Sequence, residues 1–344
     1  MSRRHPLPTW DEIVDLAADA GITRLGVAPA EILTDARHTL HARKADGLHA
    51  GMAFTYRNPD RSTDPFRTLD DARSIIVAAR PYQATEEPDR PDGVQGRVGR
   101  YAWTDHYTPL RLGLRSIVRR IKAAGYRAVA FADDNSVVDR EVAYRGGIGW
   151  YGKNSNILVP GAGSYFVLGS IITNADYPVS EPEPNRCGKC HRCLDGCPTA
   201  AIVAPGVIDA NRCLAWLVQQ PGDFPEEFRA ALGDRIYGCD ECQEVCPPSI
   251  RFGDHHRVTV DAPEAWIDLL DLLEGDDDAI LARHWYIAQR DPVWVRRNAL
   301  IVVGNTADPG DRRARAIVER YRAHSVLGEI ARWADDQLDK RQAI

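Results

Sequence analysis

Apolar positions along the first 175 residues switch repeatedly between a helical and a strand period. Ile13, Leu16 and Ala17 recur at helical spacing after Thr9, and Thr9 pairs with Glu12 as a capping box. A helix is therefore expected over Thr9–Ala20, closed by Gly21. Leu25 and Val27 then alternate with polar or small residues, as in a strand, and a second helix is expected over Ile32–Ala45. Ser74–Arg80 (SIIVAAR) reads as a buried strand, and Glu86–Gly96, rich in Pro, Asp and Gly, as a loop. Leu110, Leu114, Ile117, Val118 and Ile121 give Tyr107–Ala124 a helical period, with Gly125 as its stop. Ala128–Ala132 and Tyr165–Thr173 read as strands, with a short helix at Asp139–Tyr144 between them. This succession points to an α/β layer domain.

Asp176–Pro184, with three prolines, reads as a linker. Beyond Pro247 the pattern becomes helical: Trp266–Leu273, Ala279–Ala288, Pro292–Val303, Asp311–His324 and Val326–Leu338 each carry one apolar stripe. Such a run fits one or two HEAT-type helix pairs, or a plain helical cap. From Asp291 to Arg322 seven arginines stand against four acids, a net of +3. That excess is either a local patch for RNA phosphates or a solvated face whose charges pair among themselves.

Length and charge narrow the classes. A chain of 344 residues allows two or three domains, and 44% hydrophobic content supports sizeable cores. The net charge of −6 excludes a global basic field, so any nucleic-acid partner needs a local one. No window approaches 18 uncharged apolar residues, and Met1–Trp10 has no apolar core of a signal peptide. A cytoplasmic protein with no membrane segment is expected.

The cysteines change the picture most. All eight fall within 187–246. Cys187, Cys190, Cys193 and Cys197, followed by Pro198, spell C-x2-C-x2-C-x3-C-P; Cys239, Cys242 and Cys246, followed by Pro247, spell C-x2-C-x3-C-P, with Cys213 upstream. Four disulfides would need an oxidising compartment, and two zinc sites of four cysteines each would leave the two Cys-Pro endings without a reason. The pattern resembles that of two-cluster ferredoxins. The resemblance implies two [4Fe–4S] clusters with crossed ligands, because the fourth cysteine of such a run serves the other cluster. Cys187, Cys190, Cys193 and Cys246 would hold one; Cys197, Cys213, Cys239 and Cys242 would hold the other.

Two polar stretches lie outside this region. Asp133-Asp134-Asn135-Ser136, continuing to Asp139-Arg140-Glu141, follows a strand and precedes a helix. Turn and cap chemistry explains such residues there, and so does a catalytic carboxyl at a strand end. Gly146–Asn154 holds four glycines but matches neither a phosphate loop nor a dinucleotide fingerprint, so ATP and nicotinamide sites are unsupported. Asp254-His255-His256 starts like a D-x-H-x-x-G corrinoid motif, but Thr259 stands where the glycine belongs.

Taken together, the chain resembles the epoxyqueuosine reductase family. "GIGWYGKN" at 147–154, "CGKCHRCLDGCPTAAI" at 187–202, "YGCDECQEVCP" at 237–247 and the outlying Cys213 carry the resemblance, with "RYAW" at 100–103 and "MAFTYR" at 52–57 adding to it. It implies an α/β (α+β) N-terminal corrinoid-binding domain over 1–178, a two-[4Fe–4S] ferredoxin-like domain over 179–252 and a C-terminal α-helical HEAT-like region over 253–344. It also implies an oxidoreductase that reduces epoxyqueuosine to queuosine in a tRNA anticodon stem-loop, and a monomer is expected. Electrons would pass from an external flavodoxin- or ferredoxin-type donor through the clusters to cobalamin. Counting back from Trp150 places the family's proton-donating aspartate on Asp133. Cofactor contacts are expected from Arg57, Tyr101, Asp133, Lys153, Asn154 and Ser164. The chain departs from the family at Asp134, Ser136 and Asp139, at "HYT" (106–108) and at "LAWLVQQPG" after Cys213. These departures keep two other classes in view: a corrinoid- or flavin-dependent reductase of a small molecule, and a pure electron-transfer protein.

Overall fold

Helix Trp10–Ala18 forms as its sequence dictates: the Thr9 side chain accepts from Glu12 N, and Glu12 accepts in return from the Thr9 backbone. Such a cap is worth about 1 kcal/mol. In this computed structural model, which describes residues 5–251 and 256–343, that helix opens a layered N-terminal unit. Asp254 and His255 of the corrinoid-like stretch lie outside the described residues.

The strands in chain order are β1 (Arg24–Pro29), β2 (Ser74–Pro81), β3 (Gln95–Val98) and β4 (Ala128–Phe131). A hairpin follows, β5 (Trp150–Tyr151) and β6 (Ile157–Leu158), then β7 (Phe166–Thr173). Next come the β8 (Ile202–Ala204) and β9 (Val207–Ile208) pair, β10 (Arg235–Tyr237) and β11 (Trp266–Asp268). The main sheet has the order β1-β2-β7-β4 and every pairing in it is antiparallel. The unit is thus an α+β layer, not a parallel α/β sheet, and the ligand crevice that parallel sheets form at their strand ends does not locate its site.

Strands β2 and β7 are apolar on both faces because both faces are covered. Helices Trp10–Ala18 and Tyr107–Ala123 pack together on one side, and helix Asp139–Arg145 contacts β1, β2 and β7. Leu110, Leu114, Ile117 and Ile121 are completely buried, each contributing roughly 1.5–3 kcal/mol. A Cβ on Gly26 would collide with the Gly146 carbonyl, so the 139–145 helix approaches β1 only across a glycine.

A second core draws on distant segments. Ala84, Val94, Val98, Ala102 and Trp103 pack with Leu214, Leu217, Val218, Phe224, Ile236 and the apolar faces of the C-terminal helices. Strand β3 is the middle of a three-stranded sheet, parallel to β10 and antiparallel to β11. Three expectations change here. The stretch read as loop up to Gly96 enters β3 at Gln95, and Trp266–Leu273 is not one helix: Trp266–Asp268 is β11, and the helix begins at Leu269. The helix expected over Ala279–Ala288 is likewise reduced to Asp277–Leu281, followed by a 3-10 turn at Ala288–Arg290. Helices Val293–Thr306, Arg312–Tyr321 and Gly328–Gln342 close the chain, the last packing on both others.

Candidate cluster centre and active site

The cysteine runs adopt short turns in which Cys193 and Cys246 are buried and Cys190 is exposed. In the first, Cys190 N bonds to Cys187 O, a one-turn helix Arg192–Asp195 carries Cys193, and Ala201 N donates to Cys197 Sγ at 3.2 Å. Cys213 and Cys246 stand at the N-caps of the short helices Leu214–Leu217 and Pro247–Ile250. Proline suits the first turn of the latter, where no backbone N–H is required. Gly238, at φ +79°, lets the chain pass the Tyr101 ring just before Cys239; a Cβ there would sit 3.0 Å from that ring.

The thiols group by mutual electrostatic influence. Cys246 is raised by burial and then by Cys193, Cys187 and Cys190, to about 11. Cys239 is raised to about 12 by burial, with Cys213 adding to it; Cys242 is pushed well up by burial and by Cys239, Cys213 and Cys197. Cys246 thus lies with the 187–193 run, and Cys197 and Cys213 lie with Cys239 and Cys242. Yet no three His, Cys, Asp or Glu among the described residues converge closely enough for one metal ion. Four cysteine thiolates are the ligand complement of an iron–sulfur cube, whose iron would replace the thiol protons.

The turn between β5 and β6 braces both runs. Lys153 Nζ donates to Gly188 O at 2.9 Å and Cys190 O at 2.8 Å, and Asn154 Nδ2 donates to Cys242 O at 3.0 Å. Ser164 Oγ donates to Gln243 Oε1 at 2.8 Å; Gln243 Nε2 donates to Asp240, which accepts from Arg100 N at 2.7 Å. Three residues expected at a cofactor, Lys153, Asn154 and Ser164, therefore have polar atoms engaged by the cysteine segments.

Asp133 follows β4 and has φ +56°, a left-handed backbone that costs a non-glycine residue of order 1–3 kcal/mol. Half of its side chain is exposed, and Arg111 lies 3.8 Å away. Burial raises the Asp133 pKa, Arg111 opposes this, and Asp134 adds to it. Asn135 Oδ1 accepts from Thr55 N at 2.7 Å, tying the Asp133 loop to the segment that carries Arg57. Arg57 itself is exposed. Asp139 is driven well above the carboxylate range, first by burial and then by Asp133, and its Oδ1 is buried without a hydrogen-bond partner.

Tyrosines wall this region. Tyr107 feels Asp133 and Asp139, and Tyr237 feels Asp133. Tyr101 stands 6.1 Å from Tyr237, and its hydroxyl accepts from Gln219 Nε2 at 3.0 Å. Burial raises the pKa of the Cys213 thiol and Arg140 opposes this weakly, so the helix that follows Asp133 lies within electrostatic reach of the second thiol set. Asp133 and Tyr101 are linked through Tyr107 and Tyr237, and Lys153, Asn154 and Ser164 bond to the cysteine segments. Sequence reasoning gave no role to Arg111, Tyr107 or Tyr237. Only the helical spacing of Tyr107 and Arg111, four residues apart, placed those two side by side.

The arginine-rich tail does not present an open patch. Arg297 is 1% exposed and bonded to backbone carbonyls. Arg296 pairs with Asp277, Arg313 with Asp271 and Glu274, Arg315 with Asp335 and Asp339, and Arg322 with Glu319 and Asp335. Acids of the neighbouring helices take up most of the excess charge. No helix of the described residues is long and apolar enough to cross a membrane.

A model of the 4Fe-4S double cluster binding domain family matches residues 186–249. The epoxyqueuosine reductase of Lactococcus garvieae is 31% identical over 343 residues, 97% of each chain. A structure of the Bacillus subtilis enzyme, described with its aspartate-bearing catalytic loop swung out of the active site, has a TM-score of 0.86 at 28% identity, covering 95% of this chain and 90% of that one. An epoxyqueuosine reductase with a tRNA-Tyr epoxyqueuosine-modified stem loop has a TM-score of 0.85 at 28% identity, covering 95% and 89%. With relatives above 30% identity along nearly its whole length, the chain belongs to the epoxyqueuosine reductase family.

Proposed function

We propose that the chain reduces epoxyqueuosine to queuosine at the wobble position of a tRNA anticodon stem-loop, with electrons passing through two [4Fe–4S] clusters to cobalamin. The carrying observation is Asp133: a strained, partly desolvated carboxyl between the tyrosine wall and the second thiol set, in a chain of this family. The overall change adds two electrons and two protons to the epoxide, giving an alkene and water.

The residues near Asp133 fit a corrinoid. Tyr101 and Tyr107, both partly exposed, offer aromatic surface to a flat macrocycle, with Tyr237 packed behind Tyr101, and the orphaned Asp139 Oδ1 can accept from a peripheral amide. Bound there, a reduced corrinoid would supply the two-electron chemistry, leaving orientation and proton delivery to the protein. Burial raises the Asp133 pKa, which favours its protonated form, and the role assigned to it is delivery of a proton to the departing epoxide oxygen. Arg57 lies on the segment bonded to the Asp133 loop, at the same mouth. Lys153, Asn154 and Ser164 act at one remove, by fixing the cysteine segments that hold the clusters.

Electrons enter at Cys190, the exposed cysteine, flanked by exposed Lys189 and Arg192. A flavodoxin- or ferredoxin-type protein suits that basic rim. The C-terminal helices serve as a HEAT-like brace for the cluster segment, in a cytoplasmic monomer whose working parts divide near 178 and 252.

The test is anaerobic reconstitution with iron, sulfide and cobalamin, followed by incubation with an excess of a low-potential chemical reductant and a stem-loop carrying epoxyqueuosine. Queuosine is expected in the digested RNA. Asp133→Asn should retain iron and corrinoid and lose turnover by roughly 10²–10⁴. No queuosine from the fully loaded wild-type protein would refute the reading.

A further inference from the structure

Helix Tyr107–Ala123 contains Arg111, Arg115, Arg119, Arg120 and Lys122 and no acidic residue. At about 100° per residue, Arg111, Arg115, Arg119 and Lys122 fall within roughly 80° of one another, on a face turned well away from Leu110, Leu114, Ile117 and Ile121. Arg120 points elsewhere, to Glu12 and Pro6 O. Gly113 packs against Ala20 and Ile22, so the first helix lies on another flank and leaves the basic face open. Arg115, Arg119 and Lys122 are exposed, and none of the three makes an ion pair among the described residues; Arg119 bonds to Ser116 Oγ. This contrasts with the tail, where arginines of similar density are neutralised by acids.

The stripe begins at the active site. Arg111 is the residue beside Asp133, and from it the row runs about 16 Å to Lys122 at 1.5 Å per residue. Exposed Leu112 flanks the row, and exposed Tyr126 lies just past the helix end. In a chain of net charge −6, a row of four cations that leads to the general acid, three of them with no acidic partner, is a local field for a polyanion.

We propose that this face of the 107–123 helix is a phosphate track that seats one strand of the RNA stem and delivers its loop to Asp133. The proposal rests on the tRNA reading above. An acidic donor protein is the other polyanion to weigh, but its electrons must reach the thiol sets, and Cys190 is the exposed thiol. Arginine forks and a lysine in a row bind phosphates without reading sequence, which suits an enzyme whose substrate is marked by a modified base.

The test compares wild-type protein, Arg115→Glu/Arg119→Glu/Lys122→Glu, the milder Arg115→Gln/Arg119→Gln/Lys122→Gln, and the tail variant Arg313→Glu. A synthetic anticodon stem-loop bearing epoxyqueuosine is titrated at several salt concentrations, and turnover is followed with a chemical reductant. The track predicts affinity weakened at least roughly tenfold in the glutamate triple, and a salt slope shallower by roughly 2–3, for three lost phosphate contacts. It also predicts a raised KM with kcat retained at saturation, smaller effects of the same sign in the glutamine triple, and no change in Arg313→Glu. Iron content and melting temperature report that each variant is folded. Unchanged affinity and slope in both triples overturn the proposal. So does intact RNA binding with slowed reduction by an acidic donor protein, which would make the stripe a protein-docking face. A wild-type protein that neither binds nor reduces the stem-loop removes the functional reading itself, an outcome distinct from a variant-specific result.

Discussion

The Arg111 guanidinium lies 3.8 Å from the Asp133 carboxylate, close enough to favour its charged form, yet the Asp133 pKa is raised. Burial is the larger effect, and Asp134 adds repulsion. Arg111 thereby limits how far the proton is retained. A general acid acts while protonated, so activity falls as pH rises through its pKa. Arg111→Gln removes the stabilising cation and raises the Asp133 pKa further. The alkaline limb of the kcat profile should move to higher pH. A limb that stays put or moves down would show that Asp133 is not the titrating acid.

Metal content separates the two thiol sets. The loaded protein should hold about eight irons, and Cys193→Ala and Cys239→Ala should each retain about four, with different electron paramagnetic resonance signals remaining. Lys153→Met should act on the first set alone. Without its bonds to Gly188 O and Cys190 O, the exposed 187–193 turn loosens, and a chelator should strip that cluster faster than in wild type. Equal loss from both sets would contradict the brace assigned to Lys153.

His106 makes stability depend on pH. It is 2% exposed, accepts from Arg80 at Nδ1, and is held down at about 4 by burial and then by Arg80. An unfolded histidine titrates near 6.5. The folded protein therefore binds fewer protons between these values, and stability is full above pH 6.5 and lost as pH falls toward 4, by about 3 kcal/mol. Urea denaturation of His106→Gln should show a shallower decline between pH 6.5 and 4 than wild type. An identical decline would remove His106 as the cause.

Arg297 is a structural residue, although its charge invites a surface role. Its guanidinium donates to Leu217 O, Gln220 O, Gly222 O and the Asn298 side chain, joining the helix Val293–Thr306 to the segment after Cys213. Arg297→Met leaves several buried carbonyls unpaired and should cost roughly 3–5 kcal/mol. At a temperature where the variant is folded, its stem-loop affinity should equal that of wild type. A large loss of affinity without a loss of stability would restore Arg297 to the RNA surface.

What the sequence disclosed was local. The Thr9–Glu12 cap, the 107–123 helix and the cysteine spacing depend on neighbours within a few residues, and each is legible as written. Trp266–Leu273 misled because three of its residues answer to a partner strand far earlier in the chain, and Gln95–Val98 hid among prolines and glycines for the same reason. Arg297 and Arg111 carry the same charge in sequence; only packing makes one a buried brace and leaves the other at a carboxylate. Lys153 and Asn154 belong to a stretch whose resemblance marks it as functional, but spacing could not tell a cofactor contact from a bond to a cysteine-bearing loop.

Strand β3 has a consequence for synthesis. Its Arg97 bonds to Asp234, 137 residues further along, and its other partner, β11, is later still. At translation rates of about 5–20 residues per second, β3 waits on the order of ten seconds for the first of these partners to leave the ribosome. All eight cysteines follow β3, and all of them precede β11. The newborn chain therefore carries an unpaired central strand and a growing set of bare thiols at the same time. Iron loading and closure of the three-stranded sheet become rival clocks, and a shortage of iron during growth should appear as aggregation of nascent protein as well as loss of activity.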